Sequence, residues 1–497
     1  MMEYKNRRCA LCTLLAVILA VAVVSGISVW VIIHGAPRTT KYMVVLDAGS
    51  THTALYVYKW NDREKADGRT NHHLVRRIEQ IANKYCEKKG FASYADSSAI
   101  PGKLESCLAY AMEHVPTSHA PSTEVHVGGT AGLRLLRSDN MTAANGVLDA
   151  IRDGIRNYST FQLVPENVRI ISGEEEGFYG WATANYLAGT FPMFQSSNFS
   201  ELVNSTISKT PYGFLQLGGA SAQIAFTPPN PFREFSNDSS KYHVPADIFG
   251  EDVQLYSQSF LCHGLKEAAR TYRATLIAEQ NFPIVIDPCF PRGGQIETND
   301  SHLFGHHYCS GEFNTTLKGP KGELYLVGSG DYQGCREAVF RLLKKTSCSD
   351  PDLECSLKGI RRPVIQGPFL AFSGYYHVIK VFQYLAKKNT SEHSVNLNEF
   401  RNVTKQHCSV PFEKLEEIFE KQNLTKKLIN YMETFCFTAI YIDTVLTSGY
   451  GFNETTFANI RFLKDVEGTE FGWPLGLVLQ VTMSRNNTKQ ESSTTVW

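Results

Sequence analysis

The sequence has no excess of charge: 49 basic and 49 acidic side chains leave its 497 residues formally neutral. Neutrality gives no electrostatic sign of a nucleic-acid or polyanionic partner, so we predict no nucleic-acid binding. Apart from Cys9 and Cys12, its cysteines form no C-x-x-C or C-x-x-H cluster, which argues against zinc. Neither a Ser–His–Asp nor a Cys–His pattern is visible, and this disfavours a covalent enzyme intermediate.

Long apolar runs are scarce, and only Thr13–Ile33 is long enough to span a bilayer. Three basic residues precede it, which favours a cytoplasmic N-terminus. A cleaved signal peptide is the alternative, although the run exceeds a usual signal core and no small-x-small site follows. We therefore expect a cytoplasmic tail over 1–12, a signal anchor over 13–33 that contacts membrane lipid, and a C-terminal part outside the cell or in an organelle lumen.

The remaining cysteines and the glycosylation sequons agree with that side of the membrane. The ten cysteines form an even set, as a disulfide framework requires: Cys86, Cys107, Cys262, Cys289, Cys309, Cys335, Cys348, Cys355, Cys408 and Cys436. The sequons lie at Asn140, Asn157, Asn198, Asn204, Asn237, Asn299, Asn314, Asn389, Asn402, Asn423, Asn453 and Asn486. Together they predict a disulfide-bonded, glycosylated ectodomain at the cell membrane, with a lumenal organelle membrane as the other possibility.

Two segments share a strand–turn–strand pattern with a glycine-containing turn. Tyr42–Trp60 carries Asp-Ala-Gly-Ser-Thr in its turn, and Gly213–Phe226 carries Leu-Gly-Gly-Ala-Ser. Successive backbone N–H groups and hydroxyls in such a turn can bind an anion, most often phosphate, although one such turn alone is commonly only a hairpin. Their duplication suggests two related lobes that close on a polyphosphate.

The region between these segments adds a glycine turn and an acidic helix start. The turn beginning at Gly128 opens a helix, so Thr130 and Ala131 could face a phosphate, with a plain strand–helix turn as the alternative. Farther on, Ser172 and Glu175 have capping-box spacing before a helix. Three consecutive glutamates there fit capping and solvation, yet one of them can face a cleft. Residues 369–385 have an apolar pattern that predicts a helix.

These residues can support phosphoanhydride hydrolysis, which needs charge neutralisation, a metal ion and a positioned water. Asp47, at the end of a strand, can hold a divalent cation. Phosphate oxygens can be bound by the first turn and the residues after it: Gly49, Ser50, Thr51, His52 and Thr53. In the second turn the matching set is Gly218, Gly219, Ala220 and Ser221. Glu176 could accept a proton from water that Ser221 and Gln223 orient.

Five segments, in order along the chain, resemble the apyrase conserved regions of the ecto-nucleoside triphosphate diphosphohydrolases, the ecto-apyrase family. They read DAGSTHT, GGTAGLRLL, ISGEEEGFYGWATANYL, LQLGGASAQ and AFSGYYHVIK. The resemblance implies an α/β fold of two ribonuclease-H-like lobes of the actin/Hsp70 superfamily, with a nucleotide between them. We expect lobe I to comprise 38–171 with about 465–497, and lobe II to comprise 172–464.

The resemblance also implies an activity: Ca²⁺- or Mg²⁺-dependent hydrolysis of extracellular nucleoside tri- and diphosphates. Glu176 matches the family's base, and Ser221 and Gln223 match the residues that hold the attacking water. The fifth segment supplies an aromatic side chain for the base, either Tyr375 or Tyr376, with Tyr375 slightly favoured. The implied disulfides are Cys86–Cys107, Cys262–Cys309, Cys289–Cys335, Cys348–Cys355 and Cys408–Cys436. A homo-oligomer is left open.

The chain departs from the family pattern at Gln216, where the family has an aspartate that helps hold the metal and its water. A glutamine keeps an oxygen ligand but removes a charge, which should weaken cation binding. The alternative function is therefore a catalytically weak nucleotide-binding ectoprotein. A second departure is that membrane-bound relatives usually end in another transmembrane helix, and we expect none here.

Overall fold

The computed structural model describes residues 39–62, 78–94, 96–191, 210–228, 243–248, 251–305, 309, 319–343, 355–388, 393–422, 424–466 and 468–482. The predicted anchor Thr13–Ile33 lies outside these ranges. Within them, no helix combines the length and the apolar character that a membrane crossing requires.

The first sheet has five strands in the order β3-β2-β1-β4-β5. Its strands are β1 Thr39–Ala48, β2 Thr53–Asp62, β3 Glu79–Glu87, β4 Glu124–Gly129 and β5 Gln162–Ile170. The central strand β1 pairs antiparallel with β2 and parallel with β4. The predicted strand–turn–strand of the first segment is confirmed, and its turn lies at the carboxyl end of β1.

The second sheet repeats this arrangement and adds one edge strand, in the order β14-β13-β6-β7-β9-β8. Its strands are β6 Gly213–Leu217, β7 Ser221–Phe226, β8 His243–Ile248, β9 Glu251–Leu261, β13 Phe369–Ser373 and β14 Ile460–Phe462. The central strand β6 pairs antiparallel with β7 and parallel with β13. Both glycine turns therefore follow the central strand of a sheet, which supports the internal duplication.

Two smaller sheets complete the strands. One, ordered β10-β12-β11, contains β10 Ile284–Asp287, β11 Gln295–Asn299 and β12 Glu323–Gly328, and the other pairs β15 Asp465–Val466 with β16 Thr469–Glu470.

The helices begin and end as follows: α1 Ile100–His114, α2 Ala131–Asp139, α3 Met141–Tyr158, α4 Gly173–Leu187, α5 Leu265–Gln280, α6 Asp300–Phe304, α7 Tyr332–Leu342, α8 Gly374–Leu385, α9 Leu397–Cys408, α10 Phe412–Lys421, α11 Lys426–Glu433, α12 Phe435–Thr444, a π-helix Val445–Gly449, α13 Glu454–Phe457, and α14 over residues 473–482. The prediction of a helix over 369–385 was partly wrong, because the first five of these residues form β13 and only the rest form α8.

Three hydrophobic clusters cover the two sheets. On the first sheet, one face of β1 and β2 shares a buried cluster with α1 and α3, which includes Leu46, Leu108 and Ile151. The opposite face of this sheet shares a cluster with α4, α14 and the inner face of the second sheet. A third cluster joins the outer face of the second sheet to α5, α8 and α12. Helices α4 and α14 thus lie between the sheets. Below, lobe I denotes the first sheet with α1–α3, and lobe II the second sheet with α5–α13.

Four of the expected disulfides are present: Cys86–Cys107, Cys262–Cys309, Cys289–Cys335 and Cys408–Cys436. Cys348 of the fifth pair lies outside the described residues. Five sequon asparagines are described, and all are exposed: Asn140, Asn157, Asn299, Asn402 and Asn453. The others fall outside the described ranges: Asn198, Asn204, Asn237, Asn314, Asn389, Asn423 and Asn486.

Candidate active site

The two glycine turns come into direct contact. A Cβ atom on Gly219, in the turn after β6, would lie 2.4 Å from Cγ2 of Thr51 and 2.8 Å from Oγ of Ser50, in the turn after β1. The start of α2 joins them, since a Cβ on Gly132 would lie 2.9 Å from the Cα of Ser50. Only a residue without a side chain allows such close approach. The predicted phosphate-binding segments of both lobes therefore meet at one place.

The other residues predicted to bind phosphate, Thr130, His52 and Thr53, differ in burial and in their hydrogen-bond partners. Thr130 is buried at the N-cap of α2, and its side chain makes no capping hydrogen bond to that helix. His52 places Nδ1 3.0 Å from the hydroxyl of Thr51, and burial lowers the pKa of its imidazole. Thr53 is fully buried at the start of β2, opposite Ala48. The second turn is backed by Gly264, where a Cβ would lie 2.4 Å from the amide nitrogen of Ser221.

The three glutamates at the start of α4 have different surroundings. Glu175 completes the predicted capping box with Ser172 and binds both terminal nitrogens of Arg169, at 2.7 and 2.9 Å. Burial raises the pKa of Glu175, but the hydrogen bonds from Arg169 and Ser172 outweigh it and leave the pKa lowered. Glu174 is half-buried, whereas Glu176 is only 4% exposed. Glu175 is thus the structural member and Glu176 the buried one.

Glu176 lies beside the two residues predicted to hold water. Its Oε2 accepts hydrogen bonds from Nε2 of Gln223 at 3.2 Å and from Nη2 of Arg134 at 2.7 Å. Ser221 and Gln223 lie on β7, two residues apart and therefore on the same face of the strand. The structure brings Glu176, Ser221 and Gln223 together as the sequence predicted, although they are separated by up to 47 residues.

Arg134 is a functional candidate that the sequence analysis missed. Its guanidinium, on α2 of lobe I, reaches the carboxylate of Glu176, the hydroxyl of Ser221 at 3.3 Å and the carbonyl of Ile171 at 3.2 Å. Both charged side chains of the ion pair with Glu176 are at least nine-tenths buried. The signal was a lone arginine inside the GGTAGLRLL segment, where a buried cation requires a partner.

The hydroxyl of Ser221 lies beside two donor groups. Its Oγ is 2.5 Å from Nε2 of Gln223 and 3.3 Å from Nη2 of Arg134. The two hydrogens of this Nε2 are shared with Oε2 of Glu176 and Oγ of Ser259. Because both neighbours are donors, the O–H proton of Ser221 is available to donate. The Oε1 of Gln223 is buried and has no partner among the described residues, so it can accept. One donor and one acceptor therefore lie next to the Glu176 carboxylate.

Asp47 and Gln216 each present a buried oxygen with no hydrogen-bond partner in the described part of the chain. Asp47 lies near the end of β1, and Gln216 lies on β6 opposite Gln223. Burial and then the charge of Glu176 raise the pKa of Asp47 to about 7, against partial offsets from Trp473 and Arg134. A buried carboxylate that has an unpartnered oxygen and is repelled by a second carboxylate is a ligand that a hard divalent cation fits, and the amide oxygen of Gln216 is a ligand of the same class.

The two aromatic candidates for the nucleotide base differ in exposure. Tyr375 is fully buried in the core of lobe II, and burial raises the pKa of its phenol. Tyr376 is half-buried, with Nζ of Lys380 5.5 Å from its ring centroid. A base could stack on Tyr376 without disturbing the core, so the burial favours Tyr376 over Tyr375.

Comparisons with known proteins cover nearly the whole chain. The family model described as "GDA1/CD39 (nucleoside phosphatase) family" matches residues 34–494. Ectonucleoside triphosphate diphosphohydrolase 1 of Mus musculus is 33% identical over 449 residues, which make up 90% of this chain and 82% of the relative. Ectonucleoside triphosphate diphosphohydrolase 3 of Homo sapiens is 34% identical over 477 residues, covering 94% and 83%.

A solved structure supports the same fold. The crystal structure of nucleoside triphosphate hydrolases from Neospora caninum superposes with a TM-score of 0.66 at 16% identity, covering 94% of this chain and 97% of that one. At that identity the likeness shows the α/β fold alone, while the family follows from the sequence matches. The chain therefore belongs to the GDA1/CD39 (nucleoside phosphatase) family.

Proposed function

We propose that this protein hydrolyses the terminal phosphate of nucleoside tri- and diphosphates by direct attack of water. The observation that carries the proposal is the buried carboxylate of Glu176, held beside Ser221 and Gln223 where the turns of both lobes meet. Family membership supports the same activity, since the curated relatives are ectonucleoside triphosphate diphosphohydrolases.

The contacts suggest how the water is held and deprotonated. The Ser221 hydroxyl donates to the water oxygen, and Oε1 of Gln223 accepts one of its hydrogens. The carboxylate of Glu176 takes the second hydrogen as the water attacks the terminal phosphorus. Arg134 holds this carboxylate in place by donating to Oε2. No protein nucleophile is required, in agreement with the sequence.

Phosphate binding falls to the two turns. Backbone N–H groups of Gly49–Thr51 and of Gly219 and Ala220, with the Ser50 and Thr51 hydroxyls, are assigned to the phosphates where the turns meet, and the start of α2 adds Thr130 and Ala131. The N–H of Gly218 instead donates to the carbonyl of Ser221 and shapes the second turn. Tyr376 is assigned to the base. Because both lobes contribute donors, a polyphosphate would bind them together.

A divalent cation, Ca²⁺ or Mg²⁺, would be held by Asp47 directly and by Gln216 through water. When bound, such an ion neutralises phosphate charge and the charge that builds up during transfer. The buried, unpartnered oxygens of both residues fit that role. Gln216 contributes no negative charge, so we expect weaker cation binding than with the family's aspartate.

The wider organisation is proposed on the same basis. The repeated strand order supports two ribonuclease-H-like lobes of the actin/Hsp70 superfamily, with 38–171 and about 465–497 in one and 172–464 in the other. The names of the relatives as ecto-enzymes support an extracellular or lumenal site of action. An N-terminal lipid-embedded anchor, glycosylation of the exposed sequons and a homo-oligomer complete the proposal.

The alternative of a catalytically weak binding protein is not favoured, because the proposed catalytic base Glu176 lies beside Ser221 and Gln223, which are proposed to hold the water. The deciding measurement is phosphate release from ATP and from ADP with Ca²⁺ or Mg²⁺, and then with chelator. We expect cation-dependent release that falls about 10³-fold in Glu176→Gln and persists in the neighbouring control Glu174→Gln. Nucleotide binding without release in the unmodified protein would instead establish the binding protein.

A further inference from the structure

A polar cavity separate from the candidate active site lies in lobe II, among α7, α9, α12 and the π-helix. None of its lining residues belongs to the active-site turns. Its volume is about 390 Å³. This is within the range of about 300–1,000 Å³ that small-molecule sites occupy. Three arginines and two carboxylates line it, and two of the arginines form ion pairs, Arg341 with Glu279 and Arg401 with Asp443.

Arg336 of α7 presents an unneutralised guanidinium to the cavity. Its Cζ lies 5.7 Å from the ring centroid of Tyr332, one turn earlier on the same helix. Such stacking orients the guanidinium plane and leaves its N–H groups able to donate. In the part of the chain that the structure describes, no carboxylate comes within 4.0 Å of Arg336. Among the described residues, the cavity therefore contains a positioned cation that forms no ion pair.

Arg401 of α9 is fixed in a way that leaves further donors available. Its Nε and Nη2 each bind one carboxylate oxygen of Asp443, both at 2.8 Å. The hydroxyl of Thr447 donates to the backbone carbonyl of Asp443 at 2.7 Å and lies 3.3 Å from its Oδ1. The fork of the guanidinium is thereby locked, while Nη1 takes no part in the pair and retains its two N–H donors.

The remaining walls supply a flat apolar surface and hydroxyls. Phe340, one turn after Arg336 on α7, is 58% exposed and lines the cavity. On the opposite wall, the π-helix Val445–Gly449 places Thr447 and Ser448 in the lining. Its i→i+5 bond joins Tyr450 N to Val445 O at 2.7 Å. Turns of this kind are rare and occur often at functional sites.

The geometry points to a second binding site for an organic phosphate that carries a planar ring. The phosphate binds between Arg336 and Nη1 of Arg401, with Ser448 as an additional donor, because guanidinium groups match phosphate geometry. The ring lies on Phe340, whose exposed face it covers. A nucleoside monophosphate meets both requirements and fits the volume, and inorganic phosphate meets only the first.

The test measures binding of 5′-AMP to the ectodomain by calorimetry in the presence of chelator, with Arg336→Gln, Phe340→Ala and the matched control Arg156→Gln. Arg156 is a surface arginine in lobe I, paired with Asp153. We expect a binding event that weakens about tenfold or more in Arg336→Gln and in Phe340→Ala but not in the control. Inorganic phosphate should compete and should depend on Arg336 alone.

Equal AMP binding by Arg336→Gln and the control would overturn the site. Loss in Arg336→Gln with none in Phe340→Ala would overturn the ring assignment and leave a phosphate site. The result does not depend on the proposed hydrolysis, because AMP has no phosphoanhydride bond and no turnover is measured. Arg336-dependent binding in a protein that releases no phosphate would reject the proposed function and retain this site.

Discussion

Arg134 and Glu176 form a buried ion pair that links α2 of lobe I to the start of α4. At 2.7 Å, with both side chains nearly inaccessible, this pair is not screened by solvent as a surface pair would be. Removing one partner of such a pair leaves an uncompensated buried charge. Arg134 is therefore a positioning residue for the proposed base.

We predict that Arg134→Gln lowers kcat about 10²-fold, because the carboxylate of Glu176 loses the hydrogen bond that positions it. Arg137→Gln is the matched control, since Arg137 is exposed on the same helix. Steady-state kinetics with saturating cation, together with thermal unfolding of both variants, would test this. A lower rate that is fully explained by loss of folded protein would mean that Arg134 acts only through folding.

Gln216 is the residue at which chemistry and family pattern disagree. Its buried, unpartnered oxygen lies on the strand that precedes the second turn. We predict that Gln216→Asp tightens the apparent affinity for Ca²⁺ about tenfold, because it adds a negative charge to the proposed cation site. Activity measured against free Ca²⁺, with Gln295→Asp on exposed β11 as control, would check it. An unchanged activation curve in Gln216→Asp would remove Gln216 from the site.

At the residue scale, the sequence predicted those parts of the site that depend on local pattern. Asp47 lies near the end of a recognisable strand, and Ser221 and Gln223 lie on another. Glu176 comes directly after the capping-box residues Ser172 and Glu175. Arg134 was missed because its ion pair joins side chains 42 residues apart, a contact that exists only in the folded chain. The sequence could not separate Tyr375 from Tyr376 by burial for a similar reason: which of two neighbours on a helix faces the core depends on the rotation of that helix.

At the scale of elements, α4 starts at a rigid cap. Ser172, Glu175 and Arg169 tie the end of β5 to the first turn of the helix, and the next residue is Glu176. The carboxylate of Glu175 also lies near the positive end of the helix dipole. The cap thus fixes the first turn of α4 and with it the direction of the Glu176 side chain, the proposed catalytic base.

We predict that Glu175→Gln destabilises the protein by about 1 kcal/mol at neutral pH, a small value because the pair is partly exposed. The pKa of Glu175 is lowered in the folded state, so its contribution is present above the ordinary value of 4.5 and is lost as the pH falls further. Urea denaturation at several pH values would show that the free energies of unfolding of the unmodified protein and of Glu175→Gln converge in acid. Glu174→Gln serves as control, and a gap that persists unchanged in acid would contradict the prediction.

The segment over 369–385 shows where element prediction from pattern ends. Its first five residues form β13, a strand with four consecutive buried residues between β6 and β14. A strand with both faces buried has a continuous apolar run, which periodicity cannot distinguish from a buried helix. The switch to α8 occurs at Ser373, whose φ of 58° breaks the extended backbone.

At the scale of the whole molecule, the two lobes meet where Gly219 faces Ser50 and Thr51. We predict that Gly219→Ala lowers kcat/KM about 10²-fold, because its Cβ would force the turns apart and misplace the phosphate donors. Thermal unfolding should change little, since each lobe keeps its own core. Gly102→Ala, where an added Cβ meets nothing within 4 Å, is the control. Unimpaired turnover in Gly219→Ala would show that the turns need not touch.

The sequence also indicated the larger plan, because two similar strand–turn–strand segments required two similar sheets. It could not indicate that α4 and α14 lie between those sheets, since their apolar residues fit any covered face. Trp473 illustrates the point. Its ring, on α14, occupies the space that a side chain on Gly128 of β4 would need, so that α14 contacts β4 there. Such a contact depends on how the lobes assemble.

The four described disulfides all close loops inside a single lobe: Cys86–Cys107 in lobe I, and the other three in lobe II. Oxidation therefore reinforces each half separately and sets no limit on the angle between them. Resistance to heat or protease can be increased by such bonds without slowing the exchange of nucleotide for product. The stability of each lobe and the movement of one lobe against the other are therefore separate demands, and the placement of these four disulfides keeps them separate.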